Sequence, residues 1–405
     1  MGMRKQMIVH HHVGAREGHG SIHTPDAFKN DMMFVFYDAD PDCVDDAQKI
    51  LSEDGLNIQV YPYCISDRNG KGPFNLMVEP YLSSLFRVNK AYADYYYMGL
   101  EGQYLVRFGD ACATDKELEV EYRSLDALCR QGDAVLPPPD CLTIDAQGAA
   151  YEVISGAETC LADQTVCIHT EVEFHKIYDG QKLFGDLSAY LSERGFIFCN
   201  FDSFMKFGQQ PTKNGCRSTN VDVVTNALFL KSVDSILAAA TDDATRVAQL
   251  YKLAFYAALL NQFEMVVQSV EALCGLGEVL SGSAPSMDET PQYIRFVREL
   301  AAAIDALPDI YPPPHSVWMA QRKGQAPGAT GPRNKGFFAR VVRPLINSNR
   351  VLRQFYESSR PLFDQLVLNW RAGRLPETPV DRVLMRYGLR EQAVFLRIRR
   401  AHQNS

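Results

Sequence analysis

Seven short runs of apolar, β-branched and aromatic residues punctuate the first 235 positions, at 8–13, 33–37, 58–65, 141–144, 165–174, 196–201 and 227–230. The first four are nearly continuous in apolar residues instead of alternating, as strands buried on both faces of a parallel sheet should be. Stretches with helical spacing lie between them at 42–54, 150–162 and 182–194. Gly55 and Gly195 follow two of these where a left-handed cap is wanted. Strand, helix and strand repeated in this way predict a doubly wound α/β sheet. The segment 81–119 breaks the rhythm: Tyr92, Tyr95, Tyr96 and Tyr97 suit either a lid or an insertion helix with a half-buried face.

After residue 235 the pattern turns helical. Residues 242–274 read as continuous helix with Ala and Leu at spacings of three and four, 281–291 as a polar linker, and 292–307 as a helix closed by Pro308. The expected division is a sheet domain at 1–235, a helical region at 236–310, a Pro/Gly-rich linker at 311–336 and a basic helical region at 337–405.

Composition narrows the class. With 46% hydrophobic and 22% charged residues, wholesale disorder is excluded. No apolar run reaches the roughly 18 residues of a membrane span. The first residues lack the apolar core of a secretory signal, and Gln6 stands where a myristoylation site needs Ser or Thr. Ten cysteines without a C-x-x-C or zinc-like spacing point to a reducing cytosol, so the expected location is cytoplasmic. Net charge is −8, yet residues 321–405 hold 17 Lys and Arg against 5 Asp and Glu, leaving the first 320 residues at −20. So acidic a body argues against nucleic acid as a partner. The basic tail could meet an acidic surface: its own body, a membrane face, a protein partner or a polyanionic substrate.

The sharpest local feature is HHVGAREGHG at 11–20, directly after the first strand. Gly14, Gly18 and Gly20 allow a tight turn and close approach of a ligand to the main chain. The spacing is neither G-x-G-x-x-G nor a P-loop, which lowers NAD and ATP together. Eighteen residues past Gly20, Asp38 stands at the end of the second strand, where a carboxylate can accept both hydrogen bonds of a ribose diol. The triplet His10–His12 alternates between strand faces, so no metal is expected there. Glu171, Glu173 and His175 occupy alternate positions and can share a face, as a base, a ligand set or a solvated strand end.

The succession of motifs resembles the FkbM-type S-adenosylmethionine-dependent methyltransferases over about 215 residues. VGAREG (13–18) is similar to the family's VGANxG, FYDADP (36–41) to FEPNP, CISDRNGKGPF (64–74) to ALSDxxGxxxF and YRSLDAL (122–128) to TLDxL. SSL (83–85) matches a short motif, and LTIDAQGAAYEVISGAETCL (142–161) is close to LKIDxQGxExxVLxGA. Residues 171–196 are similar to the strand, Y-x-G-Q turn and helix that come next in the family.

The resemblance implies a seven-stranded Rossmann-like sheet, its last strand antiparallel, with S-adenosylmethionine over the ends of the first strands. By matched position, Val13, Gly14, Ala15, Glu17 and Gly18 face the methionine portion. Asp38 with Ala39 faces the ribose, and Ser66 with Asp67 the adenine edge. Asp145 borders the sulfonium and the acceptor, with Glu171 and His175 as candidate bases. It implies O-methylation of a small-molecule or glycan hydroxyl, in a sugar or a secondary metabolite. Two departures stand out: His12 occupies the place of an acid two residues before the first glycine, and Ala150 that of the last acid of the IDxQGxE motif. The competing readings are a degenerate methyltransferase-fold module that holds a protein partner through its basic C-terminal region, and a nicotinamide-dependent oxidoreductase.

Overall fold

The computed structural model describes residues 7–14, 22, 24–40, 44, 56–98, 106–130, 136–209, 221–278, 280, 290–307, 375 and 377–403. The turn residues Ala15, Glu17 and Gly18, most of the helix expected at 42–54 and the linker at 311–336 lie outside them.

The strands are β1 (Ile8–Val13), β2 (Met32–Tyr37), β3 (Asn57–Tyr61), β4 (Cys64–Ile65), β5 (Gly70–Met77), β6 (Tyr96–Met98), β7 (Val106–Arg107), β8 (Thr114–Arg123), β9 (Cys141–Ile144), β10 (Cys167–Glu173), β11 (Phe196–Gln209) and β12 (Val221–Lys231). Among the described residues they form a nine-stranded sheet in the order β3-β2-β1-β9-β10-β12-β11-β6-β7 and a three-stranded sheet β4-β8-β5. Strands β3, β2, β1, β9 and β10 are mutually parallel. β12 runs antiparallel between β10 and β11.

The fold is mixed α/β around a parallel-rich sheet, but the strand count differs from seven. The run at 58–65 is interrupted at Pro62, which cannot donate to a ladder; β3 stays in the large sheet while β4 pairs with β8. Among its described residues the segment 81–119 is mostly strand and loop, not a continuous insertion helix. It supplies β6 and β7, which extend the sheet edge beyond β11, and the start of β8. Its described residues also include the single-turn helices α1 (Lys90–Ala93) and α2 (Phe108–Ala111).

The next helices are α3 (Leu125–Arg130), α4 (Ala150–Ser155), α5 (Glu158–Asp163), α6 (Phe184–Glu193), α7 (Val233–Ala238), α8 (Asp243–Leu259), α9 (Phe263–Gly275) and α10 (Gln292–Asp305). The helix expected at 150–162 is broken at Gly156, where an added Cβ would lie 2.1 Å from the Ser66 carbonyl oxygen. The one expected at 242–274 is broken near Asn261, which takes a left-handed φ of 60°, a conformation Asn tolerates. Helices α4 to α6 pack apolar side chains, among them Val153, Ile154, Leu161 and Leu187, onto Val35, Leu142 and Ile144 of the sheet. Helix α8 is buried continuously from Gln249 to Leu259, and its Phe255 and Tyr256 rings meet Phe28 and His10. The first compact unit accordingly runs through Ala301, past the boundary expected at 235.

The second unit spans 302–405. Its α11 (Pro379–Arg386) is capped by Thr378, whose hydroxyl accepts from the Asp381 amide, and Gly388 in a left-handed conformation leads to α12 (Arg390–Gln403). Asp381, fully buried, pairs with Arg397 and Arg400 of α12. Among the described residues no helix is long and apolar enough to cross a membrane.

Candidate functional site

The strand order reverses between β1 and β9, and the chain ends that meet there build the site. The Gly14 amide donates to the Tyr37 carbonyl at 2.9 Å, and the Asp145 amide to the Val13 carbonyl at 2.8 Å. Gly14 therefore sits between the ends of β2 and β9, with φ +100°; a Cβ there would lie 2.1 Å from the Asp145 carbonyl oxygen. Only glycine fits both demands. Beyond the end of β2, the Asp38 carboxylate accepts from the Asp40 amide at 2.9 Å, which holds it in a local turn.

A cavity of about 490 Å³ opens at this switch point, the place where open α/β sheets bind ligands. Val13, Gly14, Asp38, Ala39, Asp145 and Glu171 all line it. The other described candidates do not. Ser66 is buried, its hydroxyl donating to Asp67 at 3.1 Å, while its backbone packs on Gly156. His175 lies past the end of β10, where alternation has ceased, and its ring bonds the Tyr96 hydroxyl at 3.0 Å. Glu173 keeps the alternation with Glu171 but is only 3% exposed; burial, with the Asp145 charge adding to it, pushes its carboxyl up to about 7.

Sequence reasoning missed part of the wall: Tyr63, Phe74, Glu79, Tyr81, Gln147 and Met205. Gln147 carried the clearest signal, because IDAQG places it next to Asp145 and a glycine. It adopts a left-handed φ of 45°, and Gly148 follows at 86° with its Cα against the Tyr178 ring. The Gln147 amide donates to the Asp145 carboxylate at 2.7 Å. Its carbonyl accepts from the Ser84 hydroxyl at 2.7 Å, and its side-chain oxygen from the Tyr178 hydroxyl at 3.3 Å.

The histidine triplet belongs to the core. His10 and His12 flank the Thr143 hydroxyl at 3.0 and 2.7 Å, and His11 bonds the Tyr37 hydroxyl at 3.2 Å. Burial, with His10 nearby, lowers His11 to about 3 and His12 to about 4. Both rings are neutral.

No curated protein matches the chain by sequence. Two solved structures overlap it weakly. One is magnesium protoporphyrin IX methyltransferase from Synechocystis PCC 6803 with bound SAM, at 12% identity over 56% of this chain and 71% of that one, TM-score 0.27. The other is a proposed RNA methyltransferase from Pyrococcus horikoshii, at 9% identity over 55% of this chain and 74% of that one, TM-score 0.25. At those scores neither likeness bears on the function. The family comparison is sharper: residues 66–198, running from the end of β4 into β11 and including the Asp145 turn and β10, match the methyltransferase FkbM domain.

Proposed function

We propose that the chain is an S-adenosylmethionine-dependent methyltransferase acting on a hydroxyl, in a sugar of a glycan or in a secondary metabolite. One observation carries the reading: Gly14, Asp38 and Asp145 converge on one cavity at the sheet's switch point, in a chain with an FkbM-domain match. The residues fit such a ligand. Bare backbone at Gly14 allows close approach, and the described lining includes Asp38, Glu79, Asp145 and Glu171 but no Lys, Arg or His. Four carboxylates in the described wall suit a positively charged ligand.

Bound there, S-adenosylmethionine would supply an electrophilic methyl group on a sulfonium. The chain's part is positioning and proton handling. Asp38 accepts hydrogen bonds from a ribose diol, already oriented by the Asp40 amide. We assign the adenine to Tyr63, Cys64 and Ile65, which line the cavity beside Ser66 and Asp67 in the chain. Asp145 offsets the cationic centre, and Glu171 takes the proton that the acceptor hydroxyl must lose. The 79–85 wall and Met205 face the acceptor. The basic segment after residue 320 serves partner choice through charge.

Calorimetric titration tests the assignment. Micromolar binding of S-adenosylmethionine supports it; absence of binding favours the degenerate module. Mass analysis of candidate hydroxyl acceptors after incubation then identifies the substrate class.

A further inference from the structure

Ser84 does not line the cavity, yet it is bonded to the residue that holds Asp145. It is 1% exposed, and its hydroxyl donates to the Gln147 carbonyl at 2.7 Å while accepting from the Phe86 amide at 3.1 Å. Its neighbours Ser83 and Leu85 form the wall we assign to the acceptor. Gln147 in turn sits in a left-handed conformation that a non-glycine residue adopts only at a cost, and its side-chain amide reaches the Asp145 carboxylate at 2.7 Å. Asp145 is exposed at the cavity. A strained turn held from behind by Ser84 and Tyr178, and donating forward to an exposed carboxylate, has the form of a support for that carboxylate.

We propose that Gln147 is a positioning residue that holds the Asp145 carboxylate toward the ligand's cationic centre, and that Ser84 transmits the placement of the 79–85 wall to it. The acceptor side of the cavity is thereby coupled to its cofactor side. This rests on the reading of the cavity as an S-adenosylmethionine site.

The test compares the 405-residue chain with its Gln147→Asn and Ser84→Ala variants by calorimetry with S-adenosylmethionine and with S-adenosylhomocysteine, alongside thermal unfolding. Asn suits a left-handed backbone at least as well as Gln but is one methylene short of Asp145. Gln147→Asn is expected to keep the melting temperature and to lose about tenfold in affinity for the cation, one hydrogen bond to a charged group being at stake. Ser84→Ala is expected to show a smaller loss of the same kind. Affinity for the uncharged-sulfur product should change little in either. If the wild type binds neither ligand, the cofactor reading fails and this inference with it. Wild-type binding with an unmoved preference between the two ligands in both variants would overturn the inference alone. So would a large fall in melting temperature in both, because the contacts would then be holding the fold.

Discussion

The Lys252 ammonium lies 2.8 Å from both carboxylate oxygens of Asp140, and both side chains are buried. Asp140 immediately precedes β9, accepts from the Val9 amide at 2.8 Å and is bonded by Gln164. Burial drives its carboxyl up while Lys252 pulls it down. The pair pins α8 to the start of β9, and Asp145 stands just past that strand's other end. Helix α8 thus fixes the sheet from the side away from the cavity.

Lys252→Met should leave the Asp140 charge buried without its partner and destabilise the fold by about 3–5 kcal/mol. Adding Asp140→Asn should recover much of the loss, because a neutral amide tolerates burial better. Denaturant unfolding of the single and double variants measures both, and additive losses would show that the two residues do not act as a pair.

The same geometry sets where the chain can be cut. A chain ending at Leu307 keeps α8 on the sheet and should unfold cooperatively; one ending at Ser235 exposes the sheet face against Phe255 and Tyr256 and should precipitate. This places the removable part after the first compact unit. A well-folded 1–235 fragment in a melting experiment would contradict it.

Acid should destabilise the protein through its core histidines. His11 and His12 titrate at about 3 and about 4 in the fold against 6.5 ordinarily. Below pH 6.5 the unfolded chain therefore binds more protons, and stability falls until the folded values are passed. Each residue contributes about 1.4 kcal/mol per pH unit across its own window. Glu173, raised to about 7, acts with the opposite sign between 4.5 and 7 and offsets part of this. His11→Gln should flatten the decline between pH 6.5 and 4 when stability is measured in denaturant. An unchanged slope would mean that the ring is charged in the fold.

Gly14→Ala should cost both stability and ligand affinity, since the new methyl would sit 2.1 Å from the Asp145 carbonyl oxygen in a left-handed backbone. Of order 1–3 kcal/mol is expected from the conformation alone, with the clash in addition. A lowered melting temperature with weakened binding is the outcome to look for; a Gly14→Ala protein that melts and binds as wild type would show that the close approach of Gly14 to the Asp145 backbone can relax.

The sheet was largely legible because β2 and β9 are buried along nearly their whole length, which leaves largely apolar runs such as MMFVFY. Long-range pairing was not. Pro62 marked a break in the third run, but only the partnership of β4 with β8 shows what the break is for. The tyrosines at 92–97 gave no hint of the short strand β6, because two or three paired residues leave no periodicity. For the site, glycine and acid spacing pointed to residues at strand ends that line the cavity. His175 and Ser66 do not line it, and alternation and motif position do not tell when a strand has ended or a side chain has turned inward. Met205 was invisible, since it reaches the cavity from β11 through bulges between Asp202 and Lys206.

The most direct measurement is calorimetric titration of S-adenosylmethionine into the wild-type protein and into Asp38→Ala. Asp38 is half-buried and lines the cavity from the end of β2. The wild type should bind at micromolar levels, and the variant should remain folded yet bind at least about tenfold more weakly, each lost charge-assisted bond being worth about 1.5–3 kcal/mol. No binding by the wild type, or equal affinity in a folded Asp38→Ala protein, would contradict the assignment of this cavity.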